Sequence, residues 1–309
     1  MDVYSAALLY VYFYICFVVV CSSRFSSIAW SKMAHTDEYP LGIIAGGMSD
    51  GHIKIWDVAK LMNAEADSEE DGLLASILQH QGSICGLQFN PHLDMSYLMA
   101  SGGADGEVFI ISLENPASPH VFSPAPPPNT TKHTSDITKL AWNSQVSHIL
   151  ASTAQNGSCI VWDLKGKKAW CELKEPLGGS FTDICWNPDQ GLNLVTASGD
   201  DKNPVIKLWD LRSSTSLPLA TLSAHTQGVL GLSWCPTDSS LLLSCGKDNK
   251  TFLWDLYQLQ PIYELPCASA DDDGSGGGGN MVGDFGGSAA GQRRYAIQWS
   301  TCLPAVVSA

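Results

Sequence analysis

The feature that most constrains this chain is a unit that comes back along it. A short strand pattern closes on Trp-Asp four times, at Trp56, Trp162, Trp209 and Trp254, with spacings of 106, 47 and 45 residues. The first gap holds two units, because Ile110–Leu113 fills the intermediate slot without a tryptophan. The fullest copy is residues 225–256, with strand patterns at Val229–Trp234, Ser240–Cys245 and Thr251–Trp254 and a tight turn at Gly246–Lys250. The others start near Trp30, Phe89, Trp142 and Trp186. A repeat of about 40–45 residues ending in Trp-Asp marks the blade of a β-propeller. One blade cannot bury both faces of its sheet alone, so blades must stack around an axis. The sequence predicts an all-β, WD-repeat β-propeller of about five blades plus a partial one.

Units run over about 80–113, 133–164, 180–211 and 225–256, preceded by strands at Phe25–Trp30, Leu41–Gly47 and His52–Trp56. Ile262–Leu265 reads as an outer strand, and Tyr295–Trp299 with Ala305–Ala309 as the start of a sixth unit. Leu61–Asp71 reads as an exposed acidic connection, with Ser68 in a solvated loop or at a phosphorylation site. Pro116–Pro128, with six prolines, reads as a stiff connection between blades or a polyproline ligand. Residues 268–294, rich in Asp and Gly, read as a disordered loop. The propeller thus occupies 24–309 and is expected to be incomplete at both ends. For the apolar residues 1–23 three readings stay open: a signal peptide or membrane anchor, a segment replacing a first blade, or a buried strand.

Composition narrows the function. The net charge of -14 argues against nucleic acid, whose phosphates need a basic footprint. Ten cysteines include no C-x-x-C pair and no zinc-type spacing with histidine, so neither a disulfide framework nor a metal is expected. Cys85, Cys159, Cys185, Cys235 and Cys245 fall in strand patterns and read as small buried hydrophobes in a reduced, cytosolic protein.

His225, Ser244, Asp248 and Trp254 have the residue types of a hydrolase set. Partial copies at His80, Ser101 and Asp105, and at His133, Ser152 and Asn156, argue instead for a framework device. A triad is needed once, and no strand-to-helix nucleophile elbow is present. Gly102–Gly106 reads as a hairpin turn rather than a phosphate loop, since no helix follows. Asp183, Asp200 and Asp201 read as turn residues rather than a cation site. No catalytic residue, cofactor or metal is expected.

The wording of the units is more particular than their period. Residues 137–164 read ITKLAWNSQVSHILASTAQNGSCIVWDL, 194–211 read LVTASGDDKNPVIKLWDL and 241–265 read LLLSCGKDNKTFLWDLYQLQPIYEL. Together with Ile297–Trp299 and Pro304–Ala309, these resemble the amino-terminal propeller of the Sec-thirty-one family, the larger outer-cage subunit of coat protein complex II (COPII). The resemblance spans nearly all of 24–309. It implies a seven-bladed cytosolic propeller at coat vertices, peripheral on endoplasmic reticulum exit sites and COPII vesicles. Its implied role is a structural subunit of transport from the endoplasmic reticulum to the Golgi. Implied partners are other coat subunits, including a Sec-thirteen-type partner, with membrane contact indirect through the inner coat. The apolar start and the glycine-rich loop depart from the family. A generic WD-repeat adaptor, serving a ubiquitin ligase or a signalling scaffold, is the alternative.

Overall fold

The computed structural model describes residues 23–31, 38–63, 72–125, 132–175, 179–265, 297–299 and 307–308. The leader up to residue 22, Ser68, Pro126–Pro128 and the loop 268–294 lie outside the described residues. Five four-stranded antiparallel sheets follow one another in chain order, then a two-stranded one. The first sheet holds β1 (Phe25–Trp30), β2 (Ile43–Met48), β3 (His52–Asp57) and β4 (Leu73–Leu78). The second holds β5 (Ile84–Phe89), β6 (Leu98–Gly103), β7 (Val108–Ser112) and β8 (His120–Phe122). The third holds β9 (Ile137–Trp142), β10 (Ile149–Ala154), β11 (Ser158–Asp163) and β12 (Lys168–Lys174). The fourth holds β13 (Phe181–Trp186), β14 (Asn193–Ser198), β15 (Ile206–Asp210) and β16 (Ala220–Leu222). The fifth holds β17 (Val229–Trp234), β18 (Leu241–Gly246), β19 (Thr251–Asp255) and β20 (Gln260–Glu264). β21 (Gln298–Trp299) then pairs with β22 (Val307–Ser308). The expected blades are all present as sheets, and the sixth begins as expected.

First strands of successive blades lie side by side, from β1 beside β5 through to β17 beside β21. They are the inner strands, and each last strand is the outer edge of its sheet. The core is therefore a series of slabs between blades. Val161, Cys159 and Leu173 of the third blade bury against Phe181, Ile184, Trp186 and Trp209 of the fourth. Trp209 is fully buried. Burying a large apolar side chain contributes roughly 1.5–3 kcal/mol, so each slab holds its two blades in place.

Polar ties near the axis repeat the same logic. The Trp142 indole donates to the Gln88 carbonyl at 3.0 Å, Trp186 to Ala141 at 3.0 Å and Trp299 to Ser233 at 3.1 Å. The last of these seats the sixth unit on the fifth blade as the third is seated on the second. Thr182 Oγ1 donates to the Val229 carbonyl at 2.7 Å. Asp183 lies in β13, not in a turn as expected from sequence. It is buried, accepting the Leu232 N–H at 2.8 Å, with Lys139 at 3.9 Å. Burial pushes its carboxyl up, against the pull of Lys139 and the N–H groups.

Several expectations need correction. The connection after β3 opens with a helix, α1 (Val58–Asn63), capped by Asp57 Oδ1, which accepts the Ala59 N–H at 3.0 Å. Leu61 is buried there against Trp56 and Ile44 while Met62 beside it is exposed, and the acidic stretch 64–71 lies outside the described residues. The proline-rich stretch contains β8, because Ile110, Ile111 and Ser112 pair with Phe122, Val121 and His120. The second strand begins at Ile43 rather than Leu41, since Gly42 turns the chain at φ +81°. Cys159, Cys235 and Cys245 are buried, but Cys85 is exposed and Cys185 only partly covered. Cys235 falls just after β17.

Candidate functional site

In the fifth blade the backbone brings four distant side chains to one point. His225 precedes β17, Ser244 is on β18, Asp248 is in the β18–β19 turn and Trp254 is on β19. The register sets Leu242 opposite Trp254 and Ser244 opposite Phe252, so the indole leans one pair along to reach the hydroxyl. Trp254 Nε1–H donates to Ser244 Oγ at 2.8 Å, and Ser244 Oγ lies 2.8 Å from His225 Nε2. His225 Nδ1 sits 3.0 Å from Asp248 Oδ1, while Asp248 Oδ2 accepts the Thr226 N–H at 2.9 Å.

Proton bookkeeping follows from these contacts. Ser244 Oγ already accepts from the indole, so its own proton goes to His225 Nε2. Nδ1–H is then free to donate to Asp248, which fixes the tautomer. Burial lowers the His225 pKa, an effect Asp248 opposes. Burial alone would raise Asp248, but the Thr226 N–H and the His225 ring outweigh it and hold the carboxyl below its usual range. The Phe252 ring stands edge-on to the imidazole, 4.9 Å between centroids.

The second blade repeats this with His80 Nδ1 3.0 Å from Asp105 Oδ1 and His80 Nε2 2.9 Å from Ser101 Oγ. Phe109 stands edge-on as Phe252 does, and Ile111 takes the place of the tryptophan. Of Gly102–Gly106, expected as a hairpin turn, Gly102 and Gly103 end β6 and residues 104–107 make the turn to β7, with Gly106 at φ +74°. In the third blade His133 Nε2 is 2.7 Å from Ser152 Oγ, which accepts the Trp162 indole N–H at 2.8 Å. Asn156 does not touch His133. Ser158 stands between them, 2.8 Å from His133 Nδ1 and donating to Asn156 Oδ1 at 2.8 Å. With no carboxylate beside it, burial pushes His133 down to about 4. Ser158 escaped the sequence pattern because it starts β11, where serine carries no positional signal.

The remaining two blades differ. In the fourth, Trp209 donates to Thr196 Oγ1 at 2.9 Å, so the indole–hydroxyl bond survives with threonine. Opposite Thr196 stands Lys207 instead of an aromatic ring. Its ammonium is buried and donates to both Glu175 oxygens, at 2.5 and 2.6 Å, across to the end of the third blade. In the first blade Gly46 occupies the serine position and Phe25 lies 5.8 Å from the Trp56 ring. Trp56 Nε1 is buried without a partner among the described residues.

As chemistry, the set is closed to substrate. Ser101, Ser152 and Ser244 are fully buried. A surface depression of about 420 Å³ reaches Asn156, Ser158, Lys174 and Glu175, but not Ser152. Among the described residues no three His, Cys, Asp or Glu side chains are grouped to hold a metal. Asp200 and Asp201 serve the backbone and a neighbour: Asp200 accepts the Lys202 N–H, and Asp201 bonds Lys247 Nζ at 3.0 Å. Among the described residues no helix is long and apolar enough to cross a membrane.

Comparison with known proteins agrees with this blade-by-blade picture. The family model for the WD domain, G-beta repeat matches residues 72–112, 126–163 and 216–255. These are the segments holding His80, His133 and His225, and the three inner strands of each of the two blades that depart from the network fall outside them. The chain is 38% identical over 250 residues to the protein transport protein SEC31 of Dictyostelium discoideum, covering 79% of this chain and 18% of that protein. It is 35% identical to the protein transport protein Sec31B of Mus musculus over 82% of this chain and 21% of that one. It therefore spans about a fifth of the length of these relatives. A solved structure described as COPII on membranes, outer coat vertex, superposes with a TM-score of 0.64 at 29% identity, over 80% of this chain and 62% of that one. On repeat wording, blade architecture and these likenesses together, the chain is a WD-repeat β-propeller that is similar to SEC31 proteins over about four fifths of its length.

Proposed function

We propose that this propeller is a structural subunit of the COPII coat in endoplasmic reticulum to Golgi vesicle transport. Its work is protein–protein contact, on the cytoplasmic side of endoplasmic reticulum-derived vesicles. The observation that carries this is the likeness to the outer coat vertex structure. Other coat subunits are the partners, a Sec-thirteen-type subunit among them, and membrane contact is indirect. The His–Ser–Asp sets are framework ties that carry no catalysis, which their burial and recurrence support. Expression of the tagged chain in cells, followed by affinity purification and mass spectrometry, tests the reading. Recovery of other coat subunits is expected, and their absence alongside recovery of ubiquitin-ligase subunits would replace this reading with the adaptor one.

A further inference from the structure

The chain is strongly acidic. Among the described residues, eight of the fourteen lysines and arginines lie within 3.9 Å of a carboxylate. The hairpin between β11 and β12 is different. Lys165, Lys167 and Lys168 are all exposed there, and none forms an ion pair among the described residues. Asp163, the nearest carboxylate in sequence, is committed to the turn: its Oδ1 accepts the N–H groups of Lys165 and Gly166, both at 3.0 Å.

A second observation joins the first. β12 alternates exposed and covered residues, so Lys168 and Trp170 stand on one open face of the strand. Trp170 is 45% exposed, the only exposed tryptophan among the described residues. Further along, Lys174 and Glu172 neutralise one another at 3.3 Å. β12 is also the outer edge of its sheet and the longest of the five outer strands. Free positive charge beside an uncovered aromatic ring, on an open edge, is the makeup of a peptide-docking surface.

We propose that the Lys165–Trp170 hairpin docks an extended acidic segment of a partner protein, with an apolar side chain of that segment resting on Trp170. Charge complementarity selects the occupant: three unpaired lysines in a chain of net charge -14. A flat anionic membrane fits less well. Connections between first and second strands emerge at the same end of the blades, and they expose Asp94, Asp189 and Asp238. A bilayer touching the hairpin would meet those carboxylates too, whereas a narrow peptide meets only the hairpin. This inference rests on reading the chain as a protein-contact module and adds the chemistry of one contact.

The backbone supplies a sharper test. Lys167 sits at φ +49°, a left-handed conformation that glycine adopts with less strain. Lys167→Gly should therefore melt higher and yet bind more weakly, a pairing that a purely structural lysine would not give. The probe is a short fluorescein-labelled peptide of alternating glutamate and leucine, titrated by anisotropy with the full chain. Binding is expected to weaken as salt rises, and to fall at least about tenfold in Lys165→Glu/Lys167→Glu/Lys168→Glu. Trp170→Ala should cost about threefold to tenfold, and replacing the peptide's leucines by serine should cost that variant little more. The proposal is overturned if the peptide does not bind, if the lysine substitutions leave binding unchanged, or if phosphatidylserine vesicles are bound in its place. Coat subunits that co-purify with a chain indifferent to the peptide would sink this inference alone. A chain that binds the peptide but recovers no coat subunits would sink the coat reading alone.

Discussion

The fourth and fifth blades solve one packing problem in two ways. Both must hold an indole and the strand hydroxyl beside it, and both do, through Trp209 with Thr196 and Trp254 with Ser244. Beyond that hydroxyl they part. The fifth blade continues through His225 to Asp248, with Phe252 edge-on to the imidazole, and stays within its own sheet. In the fourth, the ring's place is taken by Lys207, which crosses to Glu175 of the third blade. One device ties strands within a blade; the other ties two blades together. The difference teaches that the repeat does not dictate the chemistry of a polar tie at this depth, and the first blade, with Gly46 in the serine position and a Trp56 indole left without a partner among the described residues, shows that a blade can form without one.

The comparison breaks most visibly at the ion pair. A buried pair that loses one partner leaves an uncompensated charge, which costs about 3–5 kcal/mol. Glu175→Ala should lose that much in urea unfolding, with Lys207 left buried and unpaired. Replacing both members by apolar residues, as Lys207→Phe with Glu175→Leu, should restore most of it, making the fourth blade resemble the fifth. If the single and double variants are equally stable, the pair contributes nothing.

The acid limb comes next. The folded pKa of His133 lies at about 4, below its unfolded value. Between that pKa and about 6.5 the unfolded chain binds the extra proton, so stability is full above this window and falls as pH drops through it. The contribution is on the order of 3 kcal/mol at the acid end. His133→Gln should flatten the limb between neutral pH and pH 4 in chemical denaturation. Asp248 adds its own loss lower down, since a depressed carboxyl gives stability that disappears only as pH falls through its folded pKa.

The smallest effect sharpens the third blade against the fifth. Asn156→Asp places a carboxylate behind Ser158, closer to the fifth-blade arrangement. His133 should then titrate higher, and the acid limb should become shallower by less than about 1 kcal/mol. A steeper limb would mean the new charge is buried rather than shared.

The inner three strands of each blade were legible because they carry dense apolar runs and, in every blade but the second, end on Trp-Asp. Outer strands were mostly invisible. β8 and β16 have three residues each, and β8 lies inside a proline-rich stretch that reads as a connection. They pair on one edge only, so the hydrophobic pattern that reveals a strand is weak. The fifth-blade set was legible because His225, Ser244, Asp248 and Trp254 recur at similar spacing in other units. The Lys207–Glu175 pair was not: its members belong to different units, 32 residues apart, and no local pattern links them. Cys85 shows the converse limit, since a strand pattern does not say which inner-strand side chains face away from the slabs.

The most direct test of the central claim, that these polar sets hold the strands of a blade together and catalyse nothing, is the unfolding free energy of Ser244→Ala against the unaltered chain. Removing the hydroxyl strands the Trp254 indole N–H and His225 Nε2 in a buried site, so a loss of about 1–3 kcal/mol is predicted. An unchanged unfolding free energy would contradict the account and reopen Ser244 as a residue kept for something other than stability.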